Sequence, residues 1–191
     1  VSRITGSRAL PVFVAYNIPG RDCGQYSAGG ANGSDAYRSW IRDFANGLGN
    51  RRAVVILEPD ALASMSCLSA PLQQERLNLI HDAVRVLKAK GAAVYIDAGH
   101  ARWVAPQEIA NRLNRAGIAD ADGFSLNISN FLANSVNIAY GTEVSKRVGG
   151  KALHHRHEPQ RAERDERRQL VQSNRTTSRP RANNAHGESA R

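Results

Sequence analysis

Between residues 10 and 150 the chain alternates short apolar runs with longer stretches of helical period. "PVFVAYN" has the length and composition of a strand. It gives way to "SDAYRSWIRDFANGLGN", where Tyr37, Trp40, Ile41, Phe44 and Leu48 recur at helical spacing behind Ser34 or Asp35 as N-cap. "AVVILEPD" predicts a second strand, apolar until it ends in charge, and "LQQERLNLIHDAVRVLKAKG" a helix closed by Lys88, Lys90 and the C-cap candidate Gly91. "AAVYIDAGH" predicts a third strand, "PQEIANRLNRAG" a helix with Pro106 near its start, "ADGFSLNISNF" a fourth strand, and "NSVNIAYGTEVSKRVGG" a closing helix. Repeated β-α units whose strands are apolar on both faces predict a parallel sheet covered by helices. No internal repeat interrupts the series.

The pattern stops at Lys151. From Ala152 to Arg191 there are nine arginines, no lysine and five acidic residues, a net +4 of the chain's formal +9. Leu153, Leu170 and Val171 are the only large apolar residues there, too few to offset the entropy of ordering the segment. The chain therefore divides into residues 1–151, one domain with a sizeable core, and residues 152–191, an arginine-rich tail expected to be disordered. The first part carries the remaining +5, ordinary for a soluble domain that binds neither nucleic acid nor membrane. No stretch approaches the roughly 20 apolar residues of a membrane span. The sequence shows no signal peptide and enters a strand almost at once, which suggests missing upstream residues.

In parallel α/β folds the reactive groups gather where strands end. The first strand leads into Tyr16 and "IPGRDCG" with Asp22, the second ends Glu58-Pro59-Asp60, the third ends Asp97-Ala98-Gly99-His100, and the fourth carries Asn127 and Asn130. A single aspartate in such a place is commonly a helix cap or turn former. Carboxylates after three successive strands instead converge on one cleft, which suits general acid catalysis by a carboxyl held protonated through burial and a like-charged neighbour. Tyr, Trp, Asn and His beside them make a sugar-binding palette, with flat rings for apolar sugar faces and amides for hydroxyls. Trp40 and Phe44, on the apolar face of a helix, belong to the core, and His81 beside Asp82 to surface or packing. Gly29-Gly30 reads as part of an active-site loop and not a phosphate cradle, since no strand immediately precedes it and no "GK[ST]" follows.

"VAYNIPGRDCGQYSAGG", "VVILEPDAL", "YIDAGHARW" and "GFSLNISNF" resemble, in order and spacing, glycoside hydrolase family 6, the inverting endoglucanases and cellobiohydrolases of β-1,4-glucan. The resemblance runs from about residue 10 to residue 151. It implies a distorted parallel, TIM-like α/β barrel, incomplete at its C-terminus, and a secreted, monomeric endoglucanase-type enzyme without a cofactor. It implies Asp60 as the general acid and Asp22 as an ionised neighbour that raises the pKa of Asp60 and stabilises positive charge on the sugar. Tyr16 would press on the distorted sugar and Ser27 would hold the water chain. Asp97, His100, Trp103, Asn127 and Asn130 would line the glucan subsites. An inverting enzyme needs a second carboxylate roughly 6.5–9.5 Å from the acid to activate water, and Asp22 acting through water is one candidate. The family commonly ties its first two loops with a disulfide, which here implies Cys23–Cys67 and an oxidising compartment, against two buried free thiols.

The family's next strand usually reads like "HFIIDTSRNG", followed further on by "WCNPPGRGLG". Here "ALHHRHEPQRAER" and "QLVQSNRTTSR" stand in their place, and reading their codons one nucleotide later permits "HFIIDTSRNGPNG" and "NWCNPTGRRLG". The tail is thus expected to be an out-of-frame reading of the family's own C-terminal third. A metal site in "HHRH" lacks structural context, and GC-rich coding read out of frame yields arginine-rich sequence without selection for nucleic acid. Loss of the last strands leaves two further possibilities open: a catalytically inactive cellulase remnant and a glucan-binding protein.

Overall fold

A computed structural model describes residues 10–155. Strands and helices alternate as β1 (Val12–Ala15), α1 (Ser34–Leu48), β2 (Val54–Leu57), α2 (Ala70–Lys88), β3 (Ala93–Asp97), α3 (Pro106–Arg115), β4 (Gly123–Leu126), α4 (Asn134–Arg147) and β5 (Ala152–His155). Short 3-10 turns lie at Asp22–Gly24 and Ala63–Cys67. All eight elements expected between residues 10 and 150 are present, with ends displaced by a few residues. None of the described helices is long and apolar enough to cross a membrane.

The five strands lie side by side in chain order, all parallel. Right-handed crossovers between successive parallel strands put every helix on the same side of such a sheet. The strand residues facing that side, among them Val55, Leu57, Val94, Ile96 and Phe124, are fully buried. Tyr37, Ile41, Ala45 and Leu48 of α1 and Leu77, Ile80, Val84 and Leu87 of α2 supply the facing layer. Trp40 and Phe44 pack at its margin, where Phe44 meets Phe13 edge-on at 6.2 Å. Helices on one side only, with β1 and β5 as edges among the described residues, make this part of a barrel. On the opposite side Val12 and Val14 of β1 stay half exposed.

Three local expectations change. The N-cap of α1 is Gly33, because the Ser34 hydroxyl instead bonds Glu75 of α2. At the end of α2 the cap position is Ala89, and Gly91 turns the chain toward β3 two residues later. Beyond Lys151, Ala152–His155 pairs with β4 as a further strand. Pairing of this kind rests on backbone hydrogen bonds and leaves little hydrophobic period to read. Its main apolar anchor is Leu153, which packs against Gly141 of α4 where any Cβ would collide with it. The remainder of the expected tail, with its out-of-frame reading, lies outside the described residues.

Candidate active site

The loop after β1 carries Tyr16, Asp22 and Ser27 and is held from both chemical sides. Its N–H groups at Asn17 and Ile18 donate to the Glu58 carboxylate at 3.0 and 2.9 Å. Its carbonyls at Pro19 and Gly20 accept from the Arg76 guanidinium of α2 at 2.9 and 3.0 Å, and Arg76 also reaches the carbonyl of Ala61 at 3.2 Å. Glu58 and Arg76 are both buried. Burial pushes Glu58 up to about 7 against the pull of its N–H donors and the Arg76 charge. The buried Tyr37 hydroxyl lies near enough to Glu58 to interact with it, though outside hydrogen-bond geometry.

Farther along the loop, Arg21 donates to the carbonyls of Tyr16 and Ser27, each at 2.8 Å, and its guanidinium sits 4.7 Å over the Tyr16 ring. The Ser27 N–H donates to Asp22 Oδ2 at 2.7 Å. Cys23 and Cys67 form the expected disulfide, with Cα atoms 6.1 Å apart, so the β1 and β2 loops are covalently joined beside Asp22.

Asp60 stands at the centre. Its N–H donates to Asp97 Oδ1 at 2.9 Å, its Oδ2 accepts from the Ser129 hydroxyl, and Asn130 Nδ2 lies 3.5 Å from its Oδ1. Burial raises the Asp60 pKa and the Asp22 charge adds to the rise, while the Ser129 hydroxyl, His100 and Asn130 oppose it. Asp22, Cys23, Glu58, Asp60 and Asn127 are the non-glycine residues with positive φ among the described ones, and all follow the carboxyl ends of strands. Strained backbone gathered this way is a mark of sites where side-chain placement outweighs local stability.

The residues expected to line a glucan divide into two groups. His100 and Trp103 stay at the surface, their rings 5.3 Å apart, and Trp103 is 42% exposed. Burial lowers the pKa of His100 against the pull of Asp60. Asn130 faces the Asp60 carboxyl, Ser27 is exposed on its loop, and Tyr16 is partly buried with its pKa raised by burial and then by Asp22 and Asp60.

Asp97 and Asn127 are instead buried below the surface. Asp97 accepts from the Asp60 and Gly99 N–H groups and the Ser125 hydroxyl, each at 2.9 Å, and burial pushes it up to about 7. It supports Asp60 from beneath. Asn127 exchanges two 3.0 Å bonds with the backbone of Leu132 and closes the loop after β4. Gly99 makes room between them: with φ +74° and the Ala63 methyl 2.7 Å from any added Cβ, it tolerates no side chain.

Arg76, Arg21 and Ser129 escaped the sequence, and Glu58 was read only as a strand-end carboxylate without a role of its own. Arg76 had left a trace, since it continues the apolar stripe of Ile80, Ala83 and Leu87 around α2. Among the described residues no three His, Cys, Asp or Glu side chains are grouped to hold a metal ion.

Known proteins resemble the chain in sequence and fold. The family model described as glycosyl hydrolases family 6 matches residues 1–186. Endoglucanase A of Cellulomonas fimi is 45% identical over 150 residues, covering 78% of this chain and 32% of the relative. Endoglucanase 1 of Streptomyces halstedii is 43% identical over 149 residues, covering 76% and 46%. The chain thus spans less than half the length of these relatives. The structure of the endoglucanase Cel6 from Mycobacterium tuberculosis, in complex with methyl-cellobiosyl-4-deoxy-4-thio-β-D-cellobioside, superposes with a TM-score of 0.79 at 44% identity, covering 81% of this chain and 53% of that one. Cellobiohydrolase II of Humicola insolens, at 21% identity and a TM-score of 0.68, shares the fold. With a matching family model over nearly its whole length and the parallel α/β fold of these enzymes, the chain belongs to glycosyl hydrolases family 6.

Proposed function

We propose that the site hydrolyses β-1,4-glucosidic bonds of cellulose or related β-glucan with inversion, in the manner of an endoglucanase. The observation that carries this reading is Asp60: a half-buried carboxyl with a raised pKa, no ion-pair partner among the described residues, and Asp22, His100, Ser129 and Asn130 around it. A carboxyl kept protonated toward neutral pH can deliver its proton to the glycosidic oxygen as the bond breaks. Asp22, set by the Ser27 N–H and the disulfide beside it, stabilises the developing oxocarbenium charge and can activate water through a bridging molecule. Ser27 holds that water. Tyr16 presses on the distorted sugar, and Trp103, His100 and Asn130 receive the flanking glucose units. Secretion fits the disulfide, which an oxidising compartment preserves.

The test is reducing-sugar release from carboxymethylcellulose by the native chain and by Asp60→Asn. Loss of a general acid lowers the rate by about 10²–10⁴-fold. Equal rates from both chains refute the assignment. Retention on cellulose without sugar release from the native chain identifies a glucan-binding protein in place of an enzyme.

A further inference from the structure

We propose that Ser129 is a positioning residue for the Asp60 carboxyl: it holds Oδ2, favours the ionised form, and lets the loop after β4 set the pH at which the acid gives up its proton. The inference rests on the reading of Asp60 as the general acid.

Three features of the loop support it. First, Ser129 is held in place from outside itself. The two bonds between the Asn127 amide and Leu132 close the segment that carries it, and the Asn127 N–H donates to the Gly99 carbonyl at 2.7 Å. The backbone that carries Ser129 is therefore tied to the end of β3 as well as to β4. Second, its neighbours steer its proton toward Asp60. Asn130 Nδ2 donates to Ser129 Oγ at 3.3 Å, which leaves the Ser129 O–H to donate to Asp60 Oδ2. Third, Ser129 and Asn130 are the described side chains that hydrogen-bond the Asp60 carboxyl itself. Asp97 bonds only the Asp60 N–H, while Asp22 and Tyr16 from the β1 loop and His100 from the β3 loop act through space.

A donor aimed at a carboxylate stabilises the anion over the neutral acid. Burial and Asp22 push Asp60 toward protonation, and Ser129 is the largest of the groups that pull it back. Without the hydroxyl, the anion keeps only the longer Asn130 contact. Asp60 then stays protonated to higher pH, and a reaction that needs the protonated acid persists to higher pH as well.

The experiment titrates the Asp60 side-chain carboxyl by 13C NMR in the full chain, in Ser129→Ala and in Ser129→Thr, with Asp60→Asn assigning the resonance. The expected result is a midpoint moved to higher pH in Ser129→Ala and returned toward native in Ser129→Thr, which restores a hydroxyl. Ser129→Ala also moves the basic limb of the kcat profile on carboxymethylcellulose to higher pH and leaves KM unchanged. A midpoint that stays in place or falls in Ser129→Ala, with the amide spectrum of the folded chain intact, overturns the proposal, as does a Ser129→Thr midpoint that follows alanine. The general-acid reading stands or falls separately, on whether Asp60→Asn abolishes sugar release, because the titration does not depend on turnover.

Discussion

The two ends of the sheet treat the same side chains in opposite ways. At the end where strands begin, Asp122 accepts from Lys88 Nζ with both oxygens, at 2.9 and 2.8 Å, and from the Val94 N–H at 2.7 Å. Partial burial works against its charge, but the Lys88 ammonium and the N–H outweigh it, and the pKa falls. Asp120 nearby bonds His81 Nε2 at 2.9 Å and is lowered too. At the end where strands finish, Glu58, Asp60 and Asp97 receive N–H groups and hydroxyls, form no ion pair among the described residues, and are all raised by burial. A carboxylate matched with a cation locks two segments together. One buried without a cation is held close to protonation, which costs stability and prepares proton transfer. Under the proposed function the first kind of end serves the fold and the second the chemistry, as in parallel barrels generally.

That division predicts that damage at the finishing end costs more. The largest effect is expected from the Cys23–Cys67 bridge, which spans 44 residues of sequence. Replacing both cysteines with alanine should lower stability by about 4 kcal/mol, measured by urea denaturation. Arg76→Met comes next, at about 3 kcal/mol, because it strands buried Glu58 without its nearby charge and leaves the buried Ala61 carbonyl and the part-buried contacts to Pro19 and Gly20 without their donor. If Arg76→Met costs no more than removing a surface charge, the β1 loop is not held from beneath and the contrast between the two ends fails.

The third effect is one of pH. Glu58 and Asp97 sit at about 7 in the folded chain against ordinary values of 4.5 and 3.8, so folding takes up protons at these sites. Their contribution is fully present below the unfolded values and is lost as pH rises through about 7. The denaturation midpoint of the native chain should therefore decline across that window. Glu58→Gln, which cannot ionise but keeps an oxygen for the Asn17 and Ile18 N–H groups, should flatten the decline. An unchanged slope would falsify the assignment of Glu58 as a carboxyl raised by burial beyond what its N–H donors and Arg76 offset.

Much of this contrast was legible before any coordinates, and the reasons differ by residue. The elements up to α4 follow from unbroken period, apolar runs of four or five for strands and a helical stripe between them. Asp22 and Asp60 stood out as charges in the loops that follow apolar strands, and in the structure the Asp22 charge acts on Asp60. β5 was missed because pairing with β4 needs backbone groups that every sequence has, and Leu153 alone is too little pattern. Asp97 and Asn127 were assigned to the surface because sequence shows that a polar residue follows a strand, not which way it turns. Asp97 points inward to the Asp60 N–H, and Asn127 is consumed by Leu132. The roles of Glu58 and Arg76 were missed for the converse reason: charged residues count as exposed unless something marks them as paired, and their partners are backbone groups some 15 to 57 residues away.

The smallest expected effect sharpens the comparison most, because it tests the paired end alone. Asp122 and Lys88 are each about one-third exposed, which places their ion pair in the surface class, with solvent and salt weakening it. Asp122→Asn should thus cost only about 0.5–1 kcal/mol near neutral pH. Its folded pKa lies below the ordinary 3.8, so the contribution is present above that value and is lost as pH falls through the depressed one. The native and Asp122→Asn denaturation curves should converge in acid and stay parallel from about pH 5 upward. Glu58→Gln should also meet the native curve in acid but part from it with the opposite sign, the native chain becoming the less stable one as pH rises toward about 7. Two carboxylates on one sheet, with stability differences that grow from opposite causes, would show that pairing rather than residue type decides which end of the barrel carries the chemistry.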